Sequence, residues 1–90
     1  MRLGEEIRKV EEGQIRRFIA DNFMIGRNPT ALSGDASFLD NGIIDSLGVL
    51  ELVSFIEGSY GIEVKDEELI PENLDSINNL LRYIEKKLSL

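Results

Sequence analysis

Ninety residues carrying a net charge of −7 allow one domain, 1–90, and leave no room for a second core. The chain has no cysteine and no histidine, which removes a disulfide framework, a thiolate metal site, the commonest zinc ligand and the usual general base. A self-contained hydrolase or metalloenzyme is therefore not expected, and any thiol chemistry would have to come from an added group.

The charge is unevenly placed. Between Met1 and Thr30 six basic residues face five acids, whereas Asp35 to Asp75 holds eleven acids and a single base, Lys65. That stretch repels nucleic acid and anionic membranes and steers basic partners toward itself. Crowded carboxylates also bind protons more readily when the chain compacts, so stability is expected to rise as pH falls toward mildly acidic values. The amino terminus reads MRLGEEIRKVEEG, with charges every few residues and no apolar stretch of signal-peptide length. No run is long and apolar enough to span a bilayer. A soluble, cytoplasmic monomer is expected.

The first predicted element is a helix from Glu5 to Asn22, with Ile7, Val10, Ile15, Phe18 and Ile19 at helical spacing. Gly13 weakens it by roughly 1 kcal/mol against alanine. Gly26 and Pro29 stop it and open a loop reaching about Asp45. Phe38, Leu39, Ile43 and Ile44 within that loop predict that it is tied down on the core. Asn41-Gly42 leaves a hairpin turn as an alternative.

The second helix runs from Ser46 to Tyr60 with Asp45 as its N-cap and Gly61 after its end. Val49, Leu52, Val53, Ile56 and Tyr60 form its core stripe. Leu47, Leu50, Glu51 and Ser54 fall on the opposite side, an apolar patch rimmed by acid of the kind a transient docking surface needs. Asp66 to Ile70 supplies one short turn, stopped by Pro71. The last helix carries Ile77, Leu80, Leu81, Ile84 and Leu88, capped by Asp75 or Ser76, with Lys86 and Lys87 at the end that suits cations. The sum is an all-α bundle of three longer helices and one short helix, with a long loop between the first two.

Chemistry concentrates at Asp45-Ser46. A serine at the first turn of a helix lies beside backbone N–H groups that lack intrahelical partners, at the end that favours an anion. A phosphodiester on the Ser46 oxygen suits that end, with Leu47 and Leu50 bordering the exit. The same dipeptide also serves as an ordinary helix cap. A calcium loop counted from Asp40 fails, because its glycine position is Asp45 and its third and fifth ligand positions are Gly42 and Ile44. No metal site and no phosphate-binding Gly-x-x-x-x-Gly-Lys loop is predicted.

Asp45-Ser46-Leu47, with Phe38-Leu39 and Gly42-Ile43-Ile44 before it, resembles the Asp-Ser-Leu attachment site of acyl and peptidyl carrier proteins. The resemblance continues through Val49 to Val53, Tyr60-Gly61-Ile62-Glu63-Val64, Asp66 to Leu69, Pro71 to Ile77 and Tyr83-Ile84, so it covers nearly the whole chain in one register. It implies a four-helix carrier bundle and a 4′-phosphopantetheine cofactor. A phosphopantetheinyl transferase would attach it to Ser46, and its thiol would hold acyl or aminoacyl cargo as a thioester. Asp45 would help the transferase recognise the site, and Asp45 and Leu47 would belong with Ser46 to the cofactor-binding residues. Leu47, Leu50, Glu51 and Ser54 would meet loading and processing enzymes through basic patches, without nucleic acid or a membrane span. Gly48, where many fatty-acid carriers have an acid, and Gly42-Ile43-Ile44, where they have Leu-Gly-Ala, point to a specialised or amino-acid-carrying pathway. The bulky stripe of the second helix predicts a short, polar or aminoacyl cargo held outside the bundle. The alternatives are an unmodified helical interaction module and a fatty-acid synthesis carrier.

Overall fold

The computed structural model describes residues 3–24 and 32–88, with side chains from Lys9 onward. In order along the chain are α1 (Leu3–Phe23), α2 (Ser46–Tyr60), a 3₁₀ turn (Asp66–Glu68), α3 (Pro71–Leu74) and α4 (Ile77–Leu88). Three long helices and a short one form the predicted all-α bundle. Ile7, Gly26 and Pro29 lie outside the described side chains or residues.

The core is assembled from all four α-helices and the long loop. Ile15 and Ile19 of α1, Leu52 and Ile56 of α2, Leu74 of α3 and Ile77, Leu80, Leu81, Tyr83 and Ile84 of α4 are all buried. Two positions of the α1 stripe differ from the sequence reading. Val10 is exposed and Glu11 is buried. The reason is phase: Glu11 lies four residues before Ile15 and eight before Ile19, so it shares their face, and Val10 is turned away from it. The Tyr60 hydroxyl reaches this region, donating to Gln14 Oε1 at 2.8 Å. Partial burial, helped by the charge of Glu11, pushes its phenol up to about 12.

Pro71 does not merely stop a turn. It starts α3, where its fixed φ suits the first helical position and its missing N–H costs no hydrogen bond. Of the two candidate caps for α4, Ser76 takes the role, its Oγ accepting from the Asn79 amide at 3.0 Å. Asp75 instead pins the long loop. Its carboxylate accepts from the Ser37 hydroxyl and from the Leu39 amide at 3.0 Å, and its carbonyl accepts from the Phe38 amide at 2.8 Å. Phe38, Ile43 and Ile44 are thereby buried as anchors. The chain does turn at Asn41-Gly42, with Gly42 at φ 64°. The Ile43 amide closes that turn on the Phe38 carbonyl at 2.8 Å, and no strand flanks it among the described residues, so the hairpin alternative falls.

The 3₁₀ turn is fastened to α4 through one carboxylate. Glu68 Oε1 accepts from the Lys65 amide at 3.0 Å, the Tyr83 hydroxyl at 3.1 Å and Lys87 Nζ at 3.0 Å. The Lys65 backbone and then Lys87 lower its pKa from 4.5 to about 2. At Glu68 the expectation from acid crowding is thus reversed, because these donors stabilise the charged form. A depressed folded pKa gives stability that is present above about 4.5 and lost as pH falls through about 2. Thermal melts should therefore drop over that window. Glu68→Gln should melt lower at neutral pH and lose much of the drop; a parent-like pH profile in that variant would exclude Glu68 as its source.

Candidate functional site

Ser46 is the first residue of α2 and is exposed. Asp45 before it has extended backbone, φ −96° and ψ −178°, and its Oδ1 accepts from the Gly48 amide at 2.7 Å. Val49 N–H closes the first helical bond on the Asp45 carbonyl at 3.0 Å. The amides of Ser46 and Leu47 precede that ladder, so the start of α2 offers N–H groups and positive potential around the serine oxygen. An anionic group esterified to this hydroxyl fits the site in two respects: the residue is exposed, and it stands at the helix end whose free N–H groups suit an anion.

The cap is held from behind. Phe38 is buried in the loop, and its carbonyl accepts from the Ile43 and Ile44 amides at 2.8 and 3.3 Å. Buried Ile43 and Ile44 then deliver Asp45 to the helix start. Beyond Ser46, Leu47 and Leu50 are 75% and 57% exposed, and Glu51 and Ser54 are exposed beside them. The four residues proposed from sequence for docking therefore share one open face. Of the eleven acids between Asp35 and Asp75, eight are exposed, Asp45 and Glu51 at the start of α2 among them.

The core stripe of α2 is narrower than its sequence implied. Leu52 and Ile56 are buried, but Val49, Val53 and Tyr60 are only half-buried, and Gly48 is buried in their place. Its missing side chain explains why: a Cβ on Gly48 would stand 2.9 Å from both Ile44 Cγ2 and Phe23 Cε1. Glycine lets the end of α1 press against the first turn of α2. Sequence reading set Gly48 off the stripe; a glycine in a helical first turn was the one local signal of close approach. Phe23 itself carried none, since it lies more than twenty residues away along the chain.

Two openings lie near the start of α2. A depression of about 460 Å³ lies between the end of α1, the loop and the start of α2, and both Asp45 and Leu47 line it. An apolar cleft of about 170 Å³ opens between Val49 of α2, Phe38 and Leu39 of the loop, and Leu69, Ile70 and Leu74. This cleft bears on the expectation of cargo held outside the bundle, because an apolar hollow already exists one turn from Ser46. Among the described residues no group of three or more acids could hold a metal ion, and no helix is long and apolar enough to cross a membrane.

Residues 14–84 match the family model described as the phosphopantetheine attachment site. The chain is 37% identical over 75 residues to an acyl carrier protein of Akkermansia muciniphila, covering 83% of this chain and 89% of that one. It is 35% identical over 63 residues to an acyl carrier protein of Bdellovibrio bacteriovorus, covering 70% and 78%. One from Clostridium acetobutylicum is 32% identical over 71 residues, covering 79% and 87%. The matched span takes in the capped start of α2, the pinned loop and the α4 core together, and on that breadth the chain belongs to the acyl carrier protein family, with 4′-phosphopantetheine as its prosthetic group.

Proposed function

We propose that Ser46 is the attachment residue and that the chain presents acyl or aminoacyl intermediates to a series of partner enzymes. The observation that carries this reading is an exposed serine at the start of α2, directly behind a capping aspartate. When bound, the prosthetic group supplies a thiol on a flexible arm, which holds cargo as a thioester at high effective concentration near each partner. The chain itself supplies position. The Asp45 carboxylate accepts from the Gly48 amide and so fixes the helix start, and in this reading the Ser46 proton leaves to a base of the phosphopantetheinyl transferase. Catalysis belongs to the partners throughout.

Incubation with coenzyme A and a promiscuous transferase should add a single phosphopantetheinyl mass, mapped by peptide analysis to Ser46. An unmodified chain would favour the plain interaction module.

Leu47, Leu50, Glu51 and Ser54 form the docking face in this reading, and loading and processing enzymes meet it with basic patches. Acidic docking gives fast, weak, salt-sensitive encounters, which suits serial visits. Glu51→Lys should slow cargo transfer mainly through association and flatten its salt dependence, with stability changed by no more than about 0.5 kcal/mol. Unaltered transfer kinetics would remove this face from the docking surface.

For cargo, two readings have support. Gly42-Ile43-Ile44 and Gly48 favour a specialised or amino-acid-carrying pathway. The apolar cleft beside Val49 favours an acyl chain and so the fatty-acid alternative. Amide shifts at Leu69, Ile70 and Leu74 that appear with a short acyl thioester, and not with an aminoacyl one, would select the acyl reading.

A further inference from the structure

We propose that the depression between the end of α1 and the start of α2 is a docking site for the phosphopantetheine arm itself, an inference that rests on Ser46 being the attachment residue. Asn22 and Phe23 line it from α1, Gly42 and Ile43 from the loop, and Leu47 and Glu51 from α2. It also takes in Asp45, so it borders Ser46 on both sides along the chain. The apolar cleft, by contrast, meets α2 at Val49.

The chemistry of the arm separates the two openings. Between its phosphodiester and its thiol the arm carries a dimethyl group, one hydroxyl and two amides. The cleft is lined mostly by apolar residues such as Phe38, Leu39, Val49, Leu69 and Leu74, and its one carboxylate, Asp75, already accepts from Ser37 and Leu39, so amides buried there would be short of partners. The depression presents acceptors for them, the Glu51 carboxylate and the Asn22 carboxamide, and offers half-buried Phe23 and exposed Leu47 to the dimethyl group. Its volume of about 460 Å³ is also much the larger of the two.

Charge sets the direction in which the arm lies. Glu51 stands five residues beyond Ser46, about 7.5 Å of helical rise. Its carboxylate therefore falls alongside the neutral amide part of the arm, while the anionic phosphodiester stays at the start of α2. Two glycines give the depression its form. A side chain on Gly48 would push Phe23 and Ile44 back by direct contact, and Gly42 adopts φ 64°, which L side chains rarely adopt. An arm resting here keeps its thiol near the Leu47 and Glu51 edge of the docking face, so a partner that binds that face would meet arm and surface together.

Backbone amide NMR spectra of the chain before and after transferase treatment test this, with intact mass recorded first. The expected result is a mass gain at Ser46 with shifts at Asn22, Phe23, Gly42 and Ile43, beyond those adjoining the modification at Asp45 to Gly48. Asn22→Trp, a substitution at an exposed position near the end of α1, should fill the depression. In that variant the mass gain should persist, the treated and untreated spectra should coincide at Gly42 and Ile43, and the arm's thiol should react several-fold faster with an alkylating probe. The milder Glu51→Gln should reduce the same shifts, should the tryptophan variant unfold. Mass gain at Ser46 with shifts confined to Asp45–Gly48, or moved to Leu69–Leu74, overturns this inference and leaves the attachment reading standing. Absence of any mass gain overturns both.

Discussion

Ser46→Ala is expected to abolish phosphopantetheinylation outright while leaving the helical signal and the melting temperature nearly unchanged. Alanine is the best helix former and enters at an exposed first-turn position. The Asp45 cap onto the Gly48 amide does not involve the serine side chain. The stability change should therefore stay within about 0.5 kcal/mol. Ser33 and Ser54 are also exposed and serve as internal controls, whereas the Ser37 hydroxyl is occupied by Asp75. Ser54 lies inside α2 and Ser33 lies in the loop, so neither has a helix start to receive an anion. Mass gain that persists in Ser46→Ala, at either of these serines or elsewhere, would remove Ser46 from the centre of the site.

Phe38→Ala should produce the largest loss of stability among loop substitutions. The ring is 1% exposed, and deleting a buried aromatic side chain costs about 3–5 kcal/mol. A domain of this length holds roughly 5–13 kcal/mol in total, so a large share of the margin would go. The expected fall in melting temperature is at least about 12 °C, taking 4 °C for each kcal/mol. The effect reaches the site because the Phe38 carbonyl receives the Ile43 and Ile44 amides, and those two residues lead directly into the Asp45 cap. Modification of the variant should slow even below its melting temperature. A loss of less than about 1 kcal/mol would mean that the loop packs independently of this ring.

Local patterns on the chain made α2 and the site legible at once. A capping aspartate, a first-turn serine, an apolar repeat and a following glycine act within a few residues of one another, and the helix has the predicted limits, Ser46 to Tyr60. Gly61 ends it in the left-handed conformation that its position called for. The apolar repeat of α4 likewise marks a face, and all of it is buried except the partly exposed Leu88. The open side of α2, with Leu47 and Leu50, followed from the same periodicity.

Contacts between distant segments were not legible. Nothing near Asp75 tells that it will hold the loop at Ser37 and Leu39 rather than cap α4, because both uses want the same carboxylate. Glu68 looked like one more acid in a repelling stretch, until folding brought Tyr83 and Lys87 to it. Val10 lies outside the core it was expected to join, and Glu11 inside it, because spacing alone leaves the phase of a weakly apolar helix open and the core fixes it. Gly48 and Phe23 meet only when α1 and α2 pack. Neighbours along the chain suffice for the three long helices, the acidic stretch and the serine at a helix start. Tertiary structure alone decided which polar groups pair, which cleft opens beside Val49 and which depression lies beside Ser46, since these depend on surfaces that meet only in the folded state.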